Sequence, residues 1–212
     1  MITRHPLSKN TTSARHLTVA ALIVWFVLAL VGSLLGVFSS APNPPILLGL
    51  AVVGPVALFV LGYRALPGFR QFVSSLDLRV LTWAQTWRVV GVVFLVLHQR
   101  GLLPGVFAYP AGWGDIAIGI TAPVVAWFWR PPYPRKTFIV WNILGIVDLV
   151  LAVSLGVLSS PTPVGILAGD VTTRLMAVFP LSLIPTFLVP LFLIFHLICL
   201  SRVRKESLGR GV

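Results

Sequence analysis

Six runs of apolar residues, each close to the length needed to cross a bilayer, constrain this chain more than any motif in it. A hydrocarbon core about 30 Å thick is crossed by a helix of about 20 apolar residues. Runs of that kind fall at about 17–38, 46–64, 80–98, 113–129, 137–158 and 175–200. Lipid offers the backbone no partner, so each run must satisfy its own peptide groups as a helix. The expected fold is an all-α integral membrane protein, a six-transmembrane-helix bundle over residues 17–200 between basic tails at 1–16 and 201–212. Only 10% of the 212 residues are charged, against roughly 25% in soluble domains.

A net charge of +11 in a soluble chain would suggest nucleic acid, but the basic residues lie where topology explains them. Arg4, Lys9 and Arg15 precede the first run; Arg64, Arg70 and Arg79 separate the second and third. Arg130, Arg135 and Lys136 follow the fourth, and Arg202, Arg204, Lys205 and Arg210 close the chain. Arg100 and Arg174 alone fall in the alternate loops. Short loops rich in Lys and Arg stay in the cytoplasm, so both termini are expected there. The tail "SRVRKESLGR" could also hold anionic headgroups. The lipid bilayer is the expected partner, with no nucleic acid, and the general character is that of a small bacterial inner-membrane protein.

Other signals are weaker. The single Cys199 excludes an intrachain disulfide or a multi-cysteine metal site. The first run resembles a signal peptide ending in "SSA" at 39–41, but its length exceeds the usual apolar region of about 7–15 residues, so a retained helix is expected. "NTT" at 10–12 matches a glycosylation sequon that means nothing in the cytoplasm. In "LPGFRQFVSSLDLR", Phe69, Phe72 and Val73 suggest a short helix in the cytoplasmic interface. "RGLLPGVFAYPAGWG" and "SSPTPVGILAGDVTTR" read as turn-rich outer loops folded over the bundle, either as a vestibule or as a packed cap. Seven identities link residues 36–49 with 156–169, a similarity attributed to chance composition.

Small residues let membrane helices approach closely. Span five carries Gly145, Ala152 and Gly156, and span four carries Gly119, Ala122 and Ala126, so these two helices are expected to form part of the tight centre of the bundle. Span six carries Pro180, Pro185 and Pro190. Each removes a backbone donor, so a kinked or broken helix is expected whose free carbonyls need other partners.

Ionisable groups at membrane depth are costly and mark functional sites by default. In "LTWAQTWRVVGVVFLVL", residues 81–97, Arg88 interrupts an otherwise lipid-compatible run. Helix rise places Arg88 roughly 12 Å and Asp148 roughly 16 Å above the cytoplasmic ends of spans three and five. An ion pair between them is the primary expectation, either as a structural clasp or as part of a substrate or proton path. Gln85, Asn142 and His196 form an inner polar layer roughly 6–8 Å from the same side, with Trp83, Trp87 and Trp141 as neighbours. His98, Arg100, Tyr109, Trp113 and Asp115 form an outer group, in which Asp115 is read as capping the start of span four. Trp113, Tyr109, Trp127 and Trp129 suit the interfacial aromatic belts.

These residues support a small transporter or permease for a small solute, ion or protons, which a homo-oligomer could enlarge. No cofactor is expected. The alternative is a haem-binding electron-transfer protein, with His196 or His98 as an axial ligand. A further alternative is a non-catalytic assembly subunit. HExxH, GxSxG, the P-loop and carboxylate clusters suited to metal are absent from the sequence, and an enzyme is not favoured.

Overall fold

The computed structural model describes residues 9–39, 45–128 and 135–208. Arg4, Ser40, Ala41, Pro42, Trp129, Arg130 and Arg210 lie outside the described residues. In chain order the elements are α1 (Lys9–Leu34), α2 (Ile46–Ala65), α3 (Pro67–Ser75), α4 (Leu78–Ala84), a 3₁₀ segment (Gln85–Gly91) and α5 (Val92–Gln99). There follow α6 (Gly105–Phe128), α7 (Arg135–Leu158), a 3₁₀ turn (Thr173–Ala177), a π-helical turn (Ile184–Leu188) and α8 (Val189–Leu208). Among the described residues, six helical stretches are long and apolar enough to cross a membrane: Ser13–Leu34, Ile46–Ala65, Leu78–Gln99, Gly105–Phe128, Arg135–Leu158 and Ile184–Val203. The chain is an all-α six-helix bundle.

Three spans differ in their boundaries from the sequence expectation. Helix α1 starts earlier and stops at Leu34, because Gly36 takes φ +70° and closes the helix. Val37 N–H donates to Gly32 O and Gly36 N–H to Ser33 O, the paired bonds of a Schellman cap. Gly101, also at φ +70°, ends α5 in the same way, with Leu102 N–H on Leu97 O and Gly101 N–H on His98 O.

Span four begins at Gly105 instead of 113, and Pro110 lies inside it. The turn formers of "GVFAYPAGWG" yield to helix because an open backbone at this depth would go unsatisfied. Trp113 therefore stands two turns within the span. Span six, in contrast, begins only at Ile184. Val178 is extended (φ −115°, ψ 142°) and Pro180 follows it outside the span, leaving Pro185 in the π turn and Pro190 in the first turn of α8.

Helix α6 is central: it packs along span three on one side and against α7 on the other. Helix α8 contacts α2, α4 and α7, while α1 lies at the edge against α3 and the π turn. Trp25 of α1 donates its indole N–H to Thr186 O at 3.1 Å. Pro190, four residues beyond that carbonyl, has no N–H to give it. Thus the edge helix supplies a donor where the proline ring removes the usual one four residues on.

Helix α3 packs inward, with Val73 buried beside Leu78, Phe138 and Val203, and Phe69 edge-on to Phe59. Arg202 donates to Ser74 O and to Leu76 O at the end of α3, Arg79 to Ala126 O, and Arg135 to Val203 O. Ser74, Leu76 and Ala126 lie at the ends of α3 and α6, where acceptors lack intrahelical donors and the dipole favours cations.

The 159–174 loop folds back onto α7: Leu167 N–H donates to Leu158 O, Thr173 N–H to Ser159 O and Thr173 Oγ1 to Gly156 O. The resemblance between 36–49 and 156–169 is not a structural repeat, since Gly36 ends a helix and Gly156 lies inside one.

Candidate functional site

The centre of the bundle is organised by a short change of helix type. Gln85–Gly91 runs as 3₁₀ helix for seven residues, long for such a segment. At about three residues per turn, positions 85, 88 and 91 fall on one stripe. Gln85, Arg88 and Gly91 are its buried residues, so the change of pitch turns all three toward the same interior.

Arg88 is 2% exposed, and every nitrogen of its guanidinium is engaged. Nε donates to Asp115 Oδ1 at 2.7 Å on span four. Nη2 pairs with Asp148 Oδ2 on span five. Nη1 donates to Gly145 O at 3.3 Å and faces His196 Nε2 on span six, also at 3.3 Å. A planar fork of donors suits this four-span junction in a way that a single ammonium would not.

Arginine can only donate, so His196 Nε2 must present its lone pair. The proton then sits on Nδ1, which donates to Asn142 Oδ1 at 2.9 Å, while Asn142 Nδ2 donates to Phe138 O at 2.8 Å. The imidazole is neutral in this arrangement, with the Trp141 ring centroid 5.4 Å away. Gln85 Nε2 donates to Phe192 O at 3.2 Å, and its Oε1 has no partner among the described residues.

Glycines make room for these side chains. A Cβ at Gly91 would overlap Asp115, one at Gly114 would overlap Asp148 Oδ1, and one at Gly145 would overlap the His196 ring. A Cβ at Gly119 would meet the backbone of Val89 on span three.

The structure therefore brings Arg88, Asp148, Asn142 and His196 together, and adds Asp115. The helix-start reading of Asp115 is overturned because span four begins ten residues before it, at Gly105, which carries the carboxylate to the depth of Arg88. The outer polar group is split accordingly: His98 Nδ1 bonds Leu103 O at 2.9 Å and its ring lies against Tyr109, away from Asp115. Trp83 and Trp87 are exposed on the outside of span three, whereas Trp141 does border the interior. Gly91 and Gly114 went unmarked in the sequence, although the spacing of Gly114 beside Asp115 is a signal once the helix is known to run through it.

A cavity of about 410 Å³ meets this cluster. Val52 of α2, Phe94 of α5, Phe107 of α6, and Leu149 and Val153 of α7 form its walls, with Thr173 and Met176 beside the returning loop. Asp115 lies on its wall among the buried Phe94, Phe107 and Leu149, and the exposed Arg174 also lines it. A model of the family described as a domain of unknown function, DUF8737, matches residues 45–204. The chain belongs to that family. The DUF8737 match contains spans two to six, hence the whole Arg88 cluster and most of the cavity lining. Comparison with curated proteins and with solved structures returns no match.

The histidines bear on the haem alternative. Both ring nitrogens of His196 are occupied, one by Asn142 and one by Arg88, so this residue does not fit an axial ligand. His98 lines neither the large cavity nor the small one beside Arg88.

Proposed function

We propose that the protein is a small membrane transporter whose charge centre is Arg88 with Asp115 and Asp148. One observation carries this reading: a single guanidinium faces two carboxylates beside a neutral imidazole. The cluster then holds one uncompensated negative charge unless a proton or a cationic solute accompanies it. An unpaired charge at this depth is strongly unfavourable, so the second carboxylate would exchange one companion for another. The cavity gives a solute access to Asp115. In this reading both termini lie in the cytoplasm of a bacterial inner membrane, as the basic loops indicate, and the cavity opens outward.

The test is a proton-gradient assay in proteoliposomes containing a trapped pH dye, with small organic cations, anions and neutral solutes added singly. At least one solute should discharge the gradient faster than in protein-free vesicles, and Asp115→Asn and Asp148→Asn should each abolish the effect. Wild-type vesicles indistinguishable from empty ones for every solute would overturn the reading.

A scaffold reading is favoured by a different observation, that every guanidinium nitrogen is already occupied. Arg88 would then be a clasp joining spans three to six in an assembly subunit. It requires stoichiometric co-purification with another membrane protein and no solute-dependent flux.

A further inference from the structure

The cavity has a chemistry of its own. It is apolar over most of its wall, and its deep end is a carboxylate with only one oxygen, Oδ1, held by Arg88. Helices α2 and α7 both line it without packing extensively on each other. Ile46 and Val53 of α2 line the cavity and are nevertheless 65% and 63% exposed, so the cavity is open along this side. The gap between these helices is thus an apolar passage facing the bilayer.

From this we infer that the cavity is a binding site for a lipophilic monocation, an organic ammonium or phosphonium whose charge meets Asp115 and whose apolar body fills the space between α2 and α7. The inference deepens the transport reading by naming a substrate class, and rests on it only for the ligand being cargo.

Charge complementarity decides the occupant. A lipid acyl chain would cover Asp115 with hydrocarbon, removing water from a carboxylate that gains no partner. An anionic amphiphile could meet Arg174, but its apolar body would impose the same cost at the deep end. A cation supplies the missing countercharge where the surroundings are least screened, and a cavity of this volume holds a drug-sized ligand. Arg174 is exposed, so water screens its repulsion of an entering cation.

The experiment is equilibrium binding of radiolabelled tetraphenylphosphonium to purified protein in mild detergent, with its near-isosteric anion tetraphenylborate as the comparison. The phosphonium should bind saturably near one per chain and the borate should not. Asp115→Asn, which can still accept from Arg88 Nε, should weaken phosphonium binding at least tenfold. Val157→Phe, which adds bulk to the cavity wall from a residue outside the buried clusters, should weaken it without altering the charge centre, and covers the case in which Asp115→Asn fails to fold.

Non-saturable uptake, equal binding of the borate, or unchanged affinity in a folded Asp115→Asn variant would each overturn the site. Saturable phosphonium binding with no solute-driven proton movement would keep the site and remove the transport reading. Proton-coupled flux of another solute without phosphonium binding would do the reverse.

Discussion

Arg88 Nε donates to Asp115 Oδ1 at 2.7 Å, so the guanidinium is shared between a carboxylate of span four and one of span five instead of being paired once. This sharing turns an ion pair into a charged junction. Removing one member should leave the rest imperfectly compensated in a place that water reaches poorly.

Arg88→Ala is therefore expected to destabilise the protein by about 3–5 kcal/mol, the usual cost of stranding a buried charge. Arg88→Lys should recover little of it, because an ammonium lacks the planar fork that reaches Asp115, Asp148 and Gly145 together. Thermal unfolding of detergent-purified variants measures both. A lysine variant as stable as wild type would show that geometry is unimportant here.

Gly114→Ala and Gly145→Ala should each be severe, costing more than about 2 kcal/mol, because the added methyl meets Asp148 or His196 in a packed interior. Gly54→Ala is the control. A Cβ there has nothing within 4 Å, so its helix should be unchanged or stabilised by up to about 1 kcal/mol. Equal losses at all three positions would mean that helix flexibility, and not space for the charged cluster, explains the glycines.

Trp25→Phe should cost about 1 kcal/mol by removing a hydrogen bond to Thr186 O. In a Pro190→Ala background the same change should cost less, since the backbone then offers a donor of its own to that turn. A double-mutant cycle in unfolding free energy reads the coupling; strict additivity would refute it.

Arg202→Ala should loosen α3 while leaving the spans intact, because its guanidinium holds Ser74 O and Leu76 O. Hydrogen exchange over residues 67–76 should quicken several-fold with little change over α6 and α7. Unaltered exchange at α3 would assign its anchoring to Val73 and Phe69 alone.

The His196 tautomer has a direct reading. Nitrogen NMR should find Nδ1 protonated and Nε2 bearing a lone pair, since Nε2 faces an obligate donor. In Arg88→Met the same tautomer is expected, since Asn142 Nδ2 is committed to Phe138 O and its Oδ1 still requires a proton on Nδ1. A protonated Nε2 in the wild type would mean that His196 and Arg88 do not face each other as described.

The length and continuity of the apolar runs determined the helical membrane class, because bilayer thickness and the need for internal hydrogen bonds leave little choice. Helical rise also brought Arg88 and Asp148 to similar depths, which made their pairing legible. Asp115 was not legible as a partner. Its depth depended on where span four begins, and Gly105, Pro110, Gly112 and Gly114 carry the local signals of a loop that membrane burial overrode. Only the tertiary structure decided that Gly91 and Gly114 are spaces for carboxylates, that Gly119 serves span three, and that Trp25 completes the proline-rich span. The reason is common to all of them: apolar patterning tells each helix to enter the membrane but leaves its rotation and partners to packing, and the charged groups find their places only when four helices meet.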